Sequence, residues 1–405
     1  MDRATARRRL ALFALFFLPG LGISSWVTRT PDIRDLLGAS TAEMGLVLFG
    51  LSAGSMIGIL GSGALVRRFG TRPIVTVGIA ATALSTPIVG LGAAASQSAL
   101  VAAGLALFGL GMGGGEVAMN IEGADVERVI RRPVLPTMHG FFSLGTVVGA
   151  VIGMILTAVA FPASWHLLVI GLISLPVALT AVRHLPHGLG RACAAEHGSA
   201  GGRPVWRDPR LLLIGAIVLA MALAEGSAND WLPLLMVDGH GFDPALGSAV
   251  YVVFSAAMTV GRFTGDRFLD RFGRFPVLAA SALVGGAGIL LVVAVDNQIV
   301  AGAAVLLWGL GAALGFPVAL SAAGDSGDDA AARVSLVATV GYVAFLVGPP
   351  GLGFLGDHYG LRNAMIPVLT LLAVAAVAAS SLARTRRPDP DPDPDSSPLA
   401  APAER

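Results

Sequence analysis

Glu116 and Asn120 stand four residues apart inside one apolar stretch, and Glu225 and Asn229 stand four apart inside another. That spacing puts each pair on one face of a helix, a carboxylate beside an amide. At membrane depth a carboxylate is costly, so it marks a group that handles protons or a polar solute. The plainer role for either Glu is a fixed polar tie between helices. His139 lies within reach of Asn120 or Glu116 if its helix packs beside theirs, and imidazole changes charge near neutral pH. Asp230 follows Asn229 directly but points about 140° away from Glu225 around the helix. It is expected close to the outer surface, as an interfacial residue or an outer gate.

The elements that must position these groups are read from composition and apolar windows. The chain is 55% hydrophobic and 13% charged, well outside the range of a soluble domain. Windows of about 20 residues, the length that crosses a bilayer, place twelve spans. The first six run near Leu10 to Val27, Ala42 to Val66, Pro73 to Ala93, Ser98 to Met119, Thr137 to Ala160 and Ser164 to Val182. The second six run near Leu211 to Trp231, Pro244 to Phe268, Pro276 to Val295, Ile299 to Ala322, Ala332 to Gly356 and Leu361 to Ala383. The second set echoes the first. Phe108-Gly109-Leu110-Gly111 and Asp125 return as Trp308-Gly309-Leu310-Gly311 and Asp325, 200 residues on. Arg68-Phe69-Gly70 returns as Arg271-Phe272-Gly273, and Gly140-Phe141 as Gly341-Tyr342. Repeats of that length in an apolar chain imply a duplicated membrane bundle.

All 27 basic residues are Arg, and with both termini inside, only Arg29, Arg34 and Arg362 fall on the outer side. This asymmetry orients the chain with cytoplasmic termini in the cell (inner) membrane and gives no support to nucleic-acid binding. The expected organisation is a six-helix bundle over residues 1–184, a cytoplasmic linker over 185–210, a second bundle over 211–384, and a disordered Pro-Asp tail over 385–405. The single cysteine, Cys193, falls in the linker, so no disulfide or thiol metal cluster is expected. Without lysine there is no phosphate-binding loop of the Walker type and no Schiff-base site, and no zinc helix of the H-E-x-x-H type occurs. Gly324-Asp325-Ser326-Gly327 formally matches an intramembrane serine protease motif but sits in an inner loop. No enzyme, cofactor or metal is expected.

Between spans eight and nine runs Gly265-Asp266-Arg267-Phe268-Leu269-Asp270-Arg271-Phe272-Gly273-Arg274. It resembles the signature loop of the major facilitator superfamily (MFS), G-x-L-x-D-R-x-G-R. Its first-half counterpart keeps Gly63, Leu65, Arg68 and Gly70 but carries Arg67 where the Asp belongs. The resemblance covers roughly residues 10 to 383. It implies an all-α membrane fold of twelve transmembrane helices in two pseudo-symmetric six-helix bundles, with the loop residues Asp266, Asp270, Arg271 and Arg274 bracing alternate packings of the halves. Gly113-Gly114-Gly115-Glu116-Val117-Ala118-Met119-Asn120, with His139-Gly140-Phe141-Phe142-Ser143-Leu144-Gly145, is similar to the fucose permease-like branch. There the span-four acid is implied to handle proton or substrate. Span one, with Ser24-Ser25-Trp26, lacks the acid seen in some of those permeases.

The expected activity is secondary active transport of a small solute by alternating access, with proton-coupled uptake of a sugar or similar polar compound leading. Export of a drug-like or secondary metabolite is the alternative, and a non-transporting membrane receptor a minor one. Glu116, Asn120, Glu225, Asn229 and His139 form the expected substrate and proton site, Arg29 and Asp230 the outer gate, and Arg262 is expected to snorkel to the cytoplasmic surface. The expected partners are the solute, protons and the lipid bilayer, with the protein acting as a monomer.

Overall fold

The computed structural model describes residues 3–131, 134–191, 205–327 and 330–384. Cys193 with most of the linker, Asp328 and Asp329, and the Pro-Asp tail lie outside the described residues. Among the described residues there is no strand, and twelve helices are long and apolar enough to cross a membrane. Spans one to six are Arg3–Val27, Thr41–Phe69, Thr71–Ala94, Ser98–Ile130, Thr137–Ala158 and Ala163–Val182. Spans seven to twelve are Pro209–His240, Pro244–Phe272, Arg274–Ala294, Gln298–Gly324, Ala332–Tyr359 and Leu361–Arg384. Spans one, seven and twelve leave the N-terminal, linker and C-terminal ends on one side, here termed the terminal face, and the other side is the opposite face.

Three boundaries differ from the apolar windows in ways that matter. Span four continues past Met119 to Ile130, because the charged residues of its last turns find partners on neighbouring helices. Span seven continues past Trp231 to His240 with Pro233 inside it, as membrane helices tolerate when neighbours satisfy the freed backbone. Span eight is helical to Phe272, so Asp266 to Phe272 are its final turns rather than a loop. The chain reverses at Gly273 alone, φ +77°, as it does between spans two and three at Gly70, φ +87°. Only glycine adopts that backbone readily, which is why both signature segments carry it.

The Gly-Leu-Gly echo is a packing device. Gly109 and Gly111 of span four press on the Leu51 carbonyl of span two and the Gly78 carbonyl of span three. In the second half Gly309 meets the Phe254 carbonyl of span eight, and Gly311 meets Gly285 of span nine. Gly145, Gly149 and Gly153 likewise run along Phe17, Leu21 and Thr28 of span one. Where lipid competes with no hydrophobic driving force, such close backbone approach is what holds helices together.

The halves are sealed at the opposite face. Arg34 pairs with Asp238, the Ser248 hydroxyl donates to the Thr28 carbonyl at 2.8 Å, and the Ala42 amide donates to Asp357 at 3.4 Å. A shared apolar core joins Trp26, Val27, Met44 and Leu48 to Trp231, Leu235 and Tyr251. A second core, built on Leu12, Leu15, Phe16, Val66 and Met119, belongs to the first half alone.

Candidate functional site

The middle stretches of spans four, seven, eight and eleven and the start of span five bring one ionisable cluster together between the halves. Glu116 and Asn120 do share a face of span four, and both side chains are half-buried. His139 extends from span five to place Nε2 3.2 Å from Asn120 Oδ1, and its ring stands edge-on to Phe16 at 5.1 Å. From the second half, Arg262 donates through Nη2 to Glu225 Oε1 at 2.9 Å. The same guanidinium acts electrostatically across the interface on Glu116 and on His139, and Tyr342 of span eleven faces Glu116. Among the described residues the Glu116 carboxylate has no ion-pair or hydrogen-bond partner.

Arg262 therefore does not snorkel to the surface. It stays in the bundle because Glu225 offers a charge-assisted bond one helix away. Sequence reading missed this because span seven and span eight partners are set by helix rotation, which apolar windows do not resolve. The available signal was charge parity: two intramembrane acids require a cation nearby, and Arg262 is within a span.

Rings flank the cluster on both sides. Phe13 stacks on Phe141 at 4.6 Å in the first half, and Phe316 packs on Tyr342 at 6.0 Å and on Phe345 at 6.3 Å in the second. Phe316 lies just past an interruption in span ten, between the helical pieces Gln298–Ala312 and Gly315–Gly324. Glu116 and Asn120 are half-buried, whereas His139, at the start of span five, is exposed.

A second polar group sits nearer the opposite face. The Tyr251 hydroxyl donates to Asn229 Oδ1 at 3.1 Å, with Ser24 of span one and Ser255 beside it. Asp230 is 6% exposed and lies well inside, not close to the outer surface, because span seven runs on to His240. Arg29, 2% exposed, donates to the Thr157 hydroxyl at 2.6 Å and to the Phe161 carbonyl, and pairs with Asp32 at 2.9 Å. These bonds tie span one to span five within the first half; the pair that bridges the halves is Arg34 with Asp238. Burial pushes the Asp32 carboxyl up from its ordinary range, against the opposing pull of Arg29.

A family model described as Major Facilitator Superfamily matches residues 12–349. The chain belongs to the Major Facilitator Superfamily. It is 32% identical over 365 residues to an uncharacterised MFS-type transporter of Yersinia pestis, across 89% of this chain and 92% of that one. Its fold is that of the nucleoside transporter NupG, TM-score 0.74 at 14% identity over 93% of this chain and 99% of that one. It is also that of the E. coli fucose:proton symporter FucP, TM-score 0.62 at 19% identity over 94% and 99%.

In this MFS transporter the two signature segments are braced differently. Arg274 pairs with Asp325, the C-cap residue of span ten. Arg271 lies over Phe272 at 5.3 Å and Arg68 over Phe69 at 5.1 Å. Asp266 and Asp270 are exposed, Gly63 is half-buried, and a Cβ on Gly265 would run into Leu314. Where Arg67 replaces the acid, it is exposed, and the first half builds its brace from spans one, three and four. Arg8 donates to Asp125 at 2.7 Å and through Nε at 2.9 Å to Glu122, which is fully buried and also takes the Thr71 hydroxyl. Asp125 and Asp325 thus each pair with an arginine, Arg8 in the first half and Arg274 in the second. Ser326 of the protease-like motif donates to the Ala323 carbonyl and accepts from Arg333 Nε at 2.7 Å.

Proposed function

We propose that this MFS transporter carries a small polar solute, a sugar or a compound of similar polarity, into the cell together with protons by alternating access. The supporting observation is Glu116: a half-buried carboxylate at mid-span, under the electrostatic influence of Arg262 of the other half and, among the described residues, without a bonded partner. A buried charge that serves only structure is paired, so an unpaired one at the moving interface fits a proton carrier. Asn120, His139, Tyr342 and Asn229 supply donors and acceptors that suit a hydroxyl-rich solute, and the flanking rings suit its apolar face.

In the proposed orientation the terminal face is cytoplasmic and the membrane is the inner one. The arginine asymmetry supports this, since among the described residues Arg29, Arg34 and Arg362 alone lie at the opposite face. The two bodies that rock are residues 1–184 and 211–384, acting as a monomer. Solute and proton enter from the opposite face, the halves close over them there, and both leave towards the terminal face. Arg274 with Asp325, and Arg8 with Glu122 and Asp125, keep each half rigid while it moves.

The test is a thermal-shift screen of the purified protein against neutral sugars, sugar acids and hydrophobic drugs, repeated with Glu116→Gln. A ligand of the folded state raises apparent stability by mass action. A sugar shift that changes in the variant supports the proposal. A drug shift with none from the sugars overturns the substrate class in favour of export.

A further inference from the structure

Span two ends and span three begins on either side of Gly70, and a helix end leaves backbone groups without partners in its own helix. Gly70 offers span three no side-chain cap. The missing partners come from the start of the linker. We infer that residues 183–191 form a strap, which fastens the turn between spans two and three and keeps the polar network behind that turn assembled. The first of the two bodies then extends through Arg191, and the start of the linker belongs to it.

The strap is held from one end to the other. Leu185, 2% exposed, is embedded in the first half's own core, and its carbonyl accepts from Arg72 Nη1 at 3.2 Å. The Leu189 carbonyl accepts from the Thr71 amide at 2.8 Å, and Arg191 Nε donates to the Phe69 carbonyl at 3.2 Å. Thr71 and Phe69 are the first and last residues of the two helices, so the strap supplies what the helix ends lack. Two glycines in the left-handed region, Gly188 at φ +79° and Gly190 at φ +77°, give the strap its curve. A Cβ on Gly190 would lie 2.7 Å from Val66 Cγ1 and 3.3 Å from Thr71 Cγ2, so the strap's backbone sits directly on the end of span two.

Thr71 carries this hold inward. Its amide is fixed by Leu189, and its hydroxyl donates to Glu122, the fully buried acid that Arg8 also holds. When the strap lifts, the Thr71 amide loses its acceptor, the side chain is free to turn away, and a buried carboxylate short of a donor is costly. The start of span one and the last turns of span four, which meet at Arg8 and Glu122, then loosen together. The second half is built differently. Among the described residues no other stretch of backbone bonds the Phe272 carbonyl or the Arg274 amide, and Arg274 reaches Asp325 with its side chain. The strap is therefore a device of the first half, and it joins the chain between the halves to the helix that carries Glu116.

Amide hydrogen exchange of the purified full chain tests the strap without a solute. Gly190→Val drives a side chain into Val66 and asks a β-branched residue to take a left-handed backbone, which such residues rarely adopt. Peptides covering the turn at Gly70, the start of span one and the last turns of span four are expected to exchange about tenfold faster than in the wild type, the upper range for one lost hydrogen bond. The turn at Gly273 is expected to keep its wild-type rate. Arg72→Ala removes the bond to Leu185 without straining the strap and is expected to give a smaller increase in the same three places. Gly38→Ala strains a left-handed glycine that stands in open space at the opposite face, and is expected to change none of them.

Faster exchange confined to the strap itself would make it a passenger on the first half and overturn the inference. Equal increases at Gly70 and Gly273 in Gly190→Val would report general unfolding, and Arg72→Ala then decides. An unchanged rate at Gly70 in that variant overturns the strap, and an increase there with none at Gly273 upholds it.

Discussion

Gly45 of span two and Gly353 of span eleven meet backbone to backbone. A Cβ on Gly353 would lie 2.9 Å from the Gly45 Cα, and one on Gly45 would lie 2.8 Å from the Pro349 carbonyl oxygen. The seal at the opposite face therefore depends on the absence of side chains at these two positions. Gly45→Val should hold that face open while leaving each half intact. Overpacking costs about 1–3 kcal/mol, enough to shift the closed and open populations by about fivefold or more. Labelling of a cysteine placed near the seal, faster in the variant than in the wild type, would report it.

Arg34 and Asp238 also bridge the halves, but both keep contact with solvent. Such a pair contributes about 0.2–1 kcal/mol. Asp238→Asn should shift the same populations by no more than about fivefold, and the difference should shrink in high salt. A larger, salt-independent effect would mean that the pair is the main latch and the glycines are secondary.

The fold was legible because every span leaves an apolar window and the Gly-Leu-Gly echo survives in both halves. What escaped the windows was polar structure inside helices. Span four continues through Glu122 and Asp125 because Arg8 and Thr71 receive their charge, and a window that penalises charge stops at Met119. Asp230 read as superficial for the same reason: the window closed at Trp231, while Pro233 and the residues after it remain helical. Glu116, Asn120 and His139 were legible as one group, since spacing on one helix and the start of the next suffices. Arg262 with Glu225, and Arg34 with Asp238, were not, because each depends on how two helices are rotated and paired in space.

Glu122 is the best-buried charge among the described residues, and Arg8 is its cation. Arg8→Ala strands the carboxylate, a change that typically costs about 3–5 kcal/mol. Glu122→Gln keeps hydrogen-bonding capacity and should cost less. Thermal denaturation of both variants in detergent should show the larger drop for Arg8→Ala. The reverse order would mean that Thr71, rather than Arg8, satisfies the acid.

Asp208 caps the start of span seven and pairs with Arg333, whose hydrogen bond, ahead of the backbone bonds from Arg210 and Leu211, holds the carboxyl below its ordinary value of 3.8. A carboxyl lowered in the folded state contributes stability above its unfolded pKa, and that contribution is lost as pH falls through the folded value. Asp208→Asn should lower the melting temperature at neutral pH, and the gap from wild type should close below about pH 4, the unfolded range for Asp. Because the pair is partly exposed, the expected loss is about 1 kcal/mol or less. A gap that stays constant with pH would assign the effect to the helix cap alone.

In the proposed cycle a proton on Glu116 drives solute movement. The most direct measurement is accumulation of the solute named by the thermal-shift screen in proteoliposomes with an imposed pH gradient, for wild type and Glu116→Gln, alongside exchange without a gradient. The proposed mechanism predicts uphill accumulation by the wild type that collapses with a protonophore, and a variant that still exchanges solute but no longer accumulates it. Equal accumulation by both proteins would contradict it.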